Sequence, residues 1–376
     1  MISIARKTLL HDWRRFLPAA VAVAFSGVLM TVQGALLLGI VSANALYVTQ
    51  SSADYWVGFP GTQSVELGRT VPADTAAELY AEAGVSHTEP LLIGSGDWRA
   101  AQGGGVSVTI IGIESAADAK GLDRVIPRAL RNLLSAPGAI AIDAADAGKL
   151  SVKLGDRAEI NGRAVELIGF IDGLRGLGGV NVVASLQTAR TLDTALPADG
   201  GATYFLYNVK RAGEGESIAR RLNNRGSPPR YEVWRAGMLA DMSTLYMLLD
   251  SGAGIAFVFA TLIAMLIGAV ITSQTLMAAV AGTIPQYATL RALGVPFPRL
   301  RKIVVEQAAW VGLAGLVASL VISLTIALLA AIYRVPFDLR ISVIAGASGV
   351  VLLVAMVACM LAIHRLRDAD PASLLR

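Results

Sequence analysis

The sequence predicts a membrane α-helical protein with four transmembrane helices and an α+β extracytoplasmic domain inserted between helices 1 and 2. Three observations predict it. Hydrophobic residues make up 54% of the 376 and charged residues only 16%, whereas a soluble chain carries about 25% charged residues. Four apolar stretches are each long enough to cross a hydrocarbon core, which takes about 20 residues of helix. Between the first and second of these lies a long segment of ordinary soluble character, with turn signals, alternating strands and helix starts.

In order along the chain, residues 1–16 read as an amphipathic helix at the cytoplasmic interface. Ile4, Leu9, Leu10, Trp13 and Phe16 are interleaved with Arg6, Lys7, Arg14 and Arg15, and the chain is expected to turn into the membrane at Pro18. Transmembrane helix 1 is placed at 17–41, where no charge occurs between Arg15 and Asp54. Arg14-Arg15-Phe16-Leu17 resembles a twin-arginine signal and Ala43-Asn44-Ala45 a cleavage site. A signal's apolar core runs only about 7–15 residues, however, so a retained span is expected. The outer domain takes 42–250 and transmembrane helix 2 takes 251–284, within a charge-free interval from Ser251 to Leu290. A cytoplasmic coupling helix and loop (285–303), transmembrane helix 3 (304–333), a short external loop (334–340), transmembrane helix 4 (341–363) and a cytoplasmic tail (364–376) complete the chain.

Lysine and arginine bias sets the orientation. Arg6, Lys7, Arg14, Arg15, Arg291, Arg299, Arg301, Lys302, Arg365, Arg367 and Arg376 all flank one side and leave it at +7 after its acids are counted. The insert from Ser42 to Asp250 carries 19 basic and 23 acidic residues. Both termini are therefore expected in the cytoplasm and the insert outside. The basic balance follows from this topology and gives no reason to expect nucleic acid as a partner.

Within the insert, Pro72-Ala73-Asp74 starts a short helix, with Asp74 as its cap. Val106 to Ile113 and Tyr204 to Val209 read as strands. Arg157–Ile160 and Arg163–Phe170 form a hairpin around Asn161-Gly162, whose residue types suit the two positive φ angles of a type I′ turn. Ala212 to Asn223 is helical and ends at the Gly226-Ser227-Pro228-Pro229 breaker. Ala236 to Leu249 is expected to be an amphipathic helix running into the second span as one continuous rod. Gly252, Gly254, Gly268, Ala345 and Gly349 are small enough to let membrane helices approach closely.

Several chemistries are not written in the sequence. One cysteine, Cys359, builds neither a disulfide framework nor a thiolate metal site, and His11, His87 and His364 are scattered. Neither Gly103-Gly104-Gly105 nor Gly173 to Gly179 has the strand–glycine–helix setting of a nucleotide loop, so both read as flexible turns. The sequence holds no G-x-x-x-x-G-K-[ST], H-E-x-x-H or G-x-S-x-G. No ionisable group lies near the middle of a span, and no paired carboxylates or charge relays sit inside the spans to carry protons. The chain is accordingly expected not to be an enzyme, and to bind no cofactor of its own.

The most informative segment lies between the second and third spans, Ile284-Pro285-Gln286-Tyr287-Ala288-Thr289-Leu290-Arg291-Ala292-Leu293-Gly294, followed by Val295-Pro296-Phe297-Pro298. It reads as a helix begun near Pro285 and stopped at Gly294. Tyr287, Leu290 and Arg291 fall on one face, at i, i+3 and i+4. An aromatic and an arginine on a short rigid helix suit docking of another protein.

These residues resemble the permease subunit of a MacB/FtsX-type ABC transporter, most closely its DevC-like branch. Permeases of that type carry Glu-x-Ala-x-Leu-Arg/Lys-Ala-x-Gly at this place. Gln286 to Gly294 matches in all but the first position, where Gln286 replaces the acid. The tail from Asp370-Pro371 to Leu375-Arg376 resembles the family's terminal Pro-x-x-x-Leu-Arg signature. The resemblance implies an ATPase-coupling helix at Gln286, Tyr287, Leu290, Arg291 and Gly294, with ATP bound by a separate cytoplasmic ATPase subunit. It further implies a homodimer in the bacterial inner membrane, surrounded by lipid, working as an exporter by mechanotransmission with a periplasmic adaptor and an outer-membrane channel. An FtsX-like regulator of a periplasmic cell-wall hydrolase and a ligand sensor coupled to a kinase fit the same framework.

Overall fold

The computed structural model describes residues 13–100, 105–176, 179–226, 228–282, 294–333 and 335–368. Two compact units divide the chain: Ile40–Ile255, and Met1–Gly39 together with Ala256–Arg376.

In chain order, α1 (Trp13–Ala43) and the short α2 (Leu46–Thr49) precede β1 (Tyr55–Gly58), α3 (Asp74–Ala81), β2 (Val85–Arg99) and β3 (Gly105–Ile113). Next come α4 (Arg128–Leu133), β4 (Ala139–Asp143), α5 (Ala147–Leu150), β5 (Arg157–Ile160), β6 (Arg163–Ile171), β7 (Val180–Ser185) and α6 (Leu186–Leu192). The remainder is β8 (Tyr204–Val209), α7 (Gly215–Asn223), β9 (Glu232–Arg235), α8 (Ala236–Leu249), α9 (Gly252–Ala281), α10 (Phe297–Ile332) and α11 (Ile341–Asp368).

Four helices among the described residues, α1, α9, α10 and α11, are long and apolar enough to cross a membrane. Their limits differ from the sequence expectations at the prolines. Pro18 lies inside α1, so the chain does not turn there. The proline falls near the helix start, where it forfeits a single backbone hydrogen bond. Pro296, extended at φ −69° and ψ 141°, caps α10, which already begins at Phe297. Pro298 occupies its first turn, where an N–H has no partner in any helix. These prolines start the third long helix; residues 297–303 belong to it and not to a loop. The helix expected at 1–16 falls almost wholly outside the described residues, as does the terminal motif from Asp370 to Arg376.

The Ile40–Ile255 unit is built on nine strands in the order β3-β7-β4-β6-β5-β2-β8-β1-β9, with β2 also paired to β3. The extra pairing closes β2, β3, β7, β4, β6 and β5 into a ring. The long β2 belongs to both parts. Val85 to Leu91 pairs with β8, and Leu92 to Arg99 pairs with β3. Side chains alternate between two apolar clusters with the period of two that a strand imposes. Phe205 and Tyr207 enter one cluster, while Tyr204 and Leu206 enter the other. Tyr55 stacks on Tyr207 at 5.1 Å, and Trp56 meets Tyr204 edge-on at 5.3 Å.

The β5–β6 hairpin forms at Asn161 (φ 51°) and Gly162 (φ 74°), the two positive angles a type I′ turn requires. Other local expectations are corrected. Asp74 is the first helical residue of α3 and not its cap, a place held by Ala73; its carboxylate pairs with Arg230. Gly173 and Leu174 are anchored, both donating N–H to Asp143 Oδ2 at 2.9 Å. Apolar residues occupy both faces of α8: Leu239 is buried, whereas Met238, Leu245 and Leu249 are exposed. That helix is not amphipathic.

Candidate functional site

Of the expected coupling residues, Gln286, Tyr287, Leu290 and Arg291 lie outside the described residues. Gly294 is described, with φ +89°, a backbone region that favours glycine. Val295 and Pro296 then lead into α10. Its first turns expose Arg299, Arg301 and Lys302. Positive charges oppose the positive end of a helix dipole, so helix stability does not account for them.

Inside the unit that contains the long helices, α1 is approached through small residues. The Ser26 hydroxyl donates to the Gly268 carbonyl of α9 at 3.0 Å. A Cβ at Gly268 would lie 2.8 Å from Met30 Cε, and one at Gly315 of α10 would lie 2.6 Å from Val23. At Gly27 a Cβ would meet the Ser319 hydroxyl at 2.6 Å. Without a hydrophobic drive between helices in lipid, such close backbone approaches supply the packing. Of the five small residues singled out in the sequence, only Gly268 serves this purpose. Nothing lies within 4 Å of a Cβ at Gly252 or Gly349, and Ala345 is exposed. Gly27 and Gly315 were missed because small residues abound in every span, and only their placement separates them.

At the end of the Ile40–Ile255 unit, α8 stops at Leu249 and α9 starts at Gly252. The expected continuous rod is therefore interrupted. Asp250 and Ser251 both donate N–H to the Tyr246 carbonyl, at 2.9 and 3.0 Å. The Ser251 hydroxyl donates to the Met247 carbonyl at 2.6 Å and accepts from the Gly254 N–H at 2.9 Å. A Cβ at Gly254 would fall 1.5 Å from the Met247 oxygen. The serine thus closes one helix and caps the next, and glycine is required where the turns meet. Serine before an apolar helix is an N-cap signal, and it was there to be read.

No group of three His, Cys, Asp or Glu side chains that could hold a metal occurs among the described residues. The features on view are close-packed helices, a basic helix entry and a capped break.

Residues 258–371 match the family model of the FtsX-like permease C-terminal region. The FtsX-like region therefore covers most of α9, all of α10 and α11, and the connection between α9 and α10. No curated protein matches the chain. Part of the chain is similar to two solved domains. The extracellular domain of the noncanonic ABC-type transporter YknZ from Gram-positive bacteria is 18% identical with a TM-score of 0.36, over 49% of this chain and 100% of that one. The periplasmic region of MacB from Actinobacillus actinomycetemcomitans is 12% identical with a TM-score of 0.37, over 52% of this chain and 94% of that one.

Proposed function

We propose that this chain is the transmembrane permease subunit of an ATP-binding-cassette transporter of the DevC-like kind, driven by a separate cytoplasmic ATPase. The observation that carries the reading is the FtsX-like match over residues 258–371. In this reading Gln286, Tyr287, Leu290, Arg291 and Gly294 form the docking helix for the ATPase, and two copies of the chain act together. Both termini lie in the cytoplasm of a bacterial inner membrane. The net negative insert, against the positive flanks of the long helices, supports that orientation. ATP-driven closure moves α9 and α10. The capped break at Ser251 passes the motion to α8 and the outer domain by bending at one defined point. Export then proceeds through a periplasmic adaptor and an outer-membrane channel.

The test is co-purification of the full chain with its ATPase in nanodiscs, comparing wild type with a Tyr287→Ala, Arg291→Glu double variant. Charge reversal at a docking helix costs about 2–5 kcal/mol, enough to release the ATPase. Retention by the folded variant, or no association with the wild type, overturns the docking assignment.

A further inference from the structure

Helix α8 carries apolar residues on its outer side as well as its buried one. Met238, Leu245 and Leu249 are exposed and Met242 is half-buried. Spaced four, three and four residues apart, they form one stripe along the helix. The opposite side is locked into the fold. The Ser243 hydroxyl accepts the Val65 N–H and the Ser243 carbonyl accepts the Asn44 amide, both at 2.9 Å. Asn44 directly follows α1, so the chain leaving α1 is tied to the helix that leads to α9.

Beside the stripe opens a cleft of about 760 Å³, lined by Met238, Met242 and Leu245 of α8 and by Val48 and Thr49 of α2. Chain length sets it close to a membrane surface. Leu245 precedes Leu249 by one helical turn, about 6 Å, and Gly252 opens α9 at most about 11 Å beyond. Val48 follows the end of α1 at Ala43 by at most about 18 Å of chain. Both α1 and α9 are long and apolar enough to span, and both join this unit, so these two ends face the same side of the membrane. Each lining of the cleft is thus tethered to a span by a few residues, whatever angle the break at Ser251 takes.

The cleft is also charged, and its charges balance. Arg124, Arg235, Asp54 and Asp241 line it. Two of them are partly committed: Arg124 Nη1 donates to the Thr49 carbonyl at 2.8 Å, and Asp54 Oδ2 accepts the Val209 N–H at 3.0 Å. Arg235 and Asp241 are exposed and hold no ion pair among the described residues. A ligand with one charge of either sign would meet repulsion as well as attraction here. A zwitterion with an apolar part matches both the charges and the stripe.

We propose that this cleft takes the headgroup of a zwitterionic phospholipid with a primary ammonium, drawn from the leaflet that faces the outer domain. Arg235 and Arg124 bind the phosphate, Asp241 takes the ammonium, and Met238, Met242 and Leu245 cover the upper part of the acyl chains. The planar fork of a guanidinium suits phosphate oxygens. A primary ammonium offers Asp241 three N–H donors, as a lysine does, whereas a quaternary one offers none. Methionine adapts to the irregular shape of an acyl chain, and Leu249 carries the stripe on toward α9. The site needs α1 and α9 to cross a membrane but needs no ATPase, so its failure would leave the permease reading untouched.

Native mass spectrometry of the full chain tests it, after equilibration in nanodiscs of equal parts dioleoyl phosphatidylethanolamine, phosphatidylglycerol and phosphatidylcholine. Wild type is expected to retain the ethanolamine lipid over each of the others by about threefold or more, the scale of an accessible ion pair. Arg235→Gln should reduce that retention, and Asp241→Asn should erase the preference over phosphatidylcholine. Met238→Glu, which sets a charge in the stripe, should also lower retention of the ethanolamine lipid. All three side chains are exposed, and unfolding profiles matching the wild type establish that the readout is binding and not folding. Equal retention of the three lipids, a preference for phosphatidylglycerol, or an ethanolamine preference that survives both Arg235→Gln and Asp241→Asn overturns the proposal. So does a Met238→Glu variant that loses dimer mass in the same spectra while keeping its lipid ratio, since the stripe would then be an interface between copies.

Discussion

The hydroxyl of Ser251 donates to the carbonyl oxygen of Met247 at 2.6 Å, across the break between α8 and α9. The Ser251 hydroxyl oxygen also accepts the Gly254 N–H at 2.9 Å, so one side chain both satisfies a C-terminal carbonyl and caps the following helix. Ser251→Ala removes both bonds and is expected to cost about 1 kcal/mol, the usual value of a lost cap. Gly254→Ala sets a Cβ against backbone that cannot swing away and is expected to cost more, about 1–3 kcal/mol. Thermal unfolding of the full chain in nanodiscs ranks the two. A smaller effect at Gly254 means that the break relaxes into the continuous helix expected from sequence.

Arg131 is a buried guanidinium that donates to the Glu114 carbonyl at 2.8 Å and the Gly121 carbonyl at 2.6 Å. From the other side, Glu89 accepts the Lys120 N–H at 2.9 Å and the Gly121 N–H. Together they hold the loop after β3. Burial lowers the Arg131 pKa, and nearby acids, Glu89 first, oppose the fall. Arg131→Lys keeps a charge but not the planar fork that reaches two carbonyls. A loss of about 2–3 kcal/mol is expected, read by chemical denaturation. A change within experimental error would mean that the loop is held by Glu89 alone.

Asn161 and Gly162 share a turn but not a role. Gly162→Ala strains the backbone at φ 74° and is expected to destabilise by about 1 kcal/mol. Asn161→Gly keeps the positive φ but loses side-chain bonds to the Asp97 N–H at 2.8 Å and the Leu192 carbonyl at 3.0 Å. That cost should be equal or larger, about 1–2 kcal/mol. If Asn161→Gly is neutral in denaturant unfolding, the residue serves only its turn.

Asp146 is buried, with Oδ2 lacking a hydrogen-bond donor. Desolvation pushes its pKa up, only partly offset by Arg175 at 3.6 Å. The folded state therefore holds the proton more tightly than the unfolded chain. This contribution to stability is complete below the unfolded carboxylate pKa of about 3.9 and is lost as pH rises through the folded value. Asp146→Asn is expected to match or exceed the wild type at neutral pH and to lose this acid-side gain. Unfolding curves across the acid-to-neutral range check it; parallel pH profiles for the two proteins would contradict it.

Length and hydropathy alone set the four long apolar helices, because about 20 residues without charge have few other stable places. The Asn161-Gly162 hairpin was equally legible, since its turn chemistry is local. Strands such as β4 and β7, buried on both faces, carry no alternation and escaped notice. So did the double pairing of β2, which depends on partners far along the chain. The segment from Gln286 to Gly294 was singled out from residue types alone. Only the fold turns Arg69 onto Phe59 and commits Asp193 to the Ser95 and Ala195 N–H groups. Sequence determines what is decided within a few residues: hydropathy, charge bias, turns and caps. The tertiary structure decides which small residues touch across helices and which carboxylates are tied to distant backbone N–H groups, because both depend on groups brought together from distant positions.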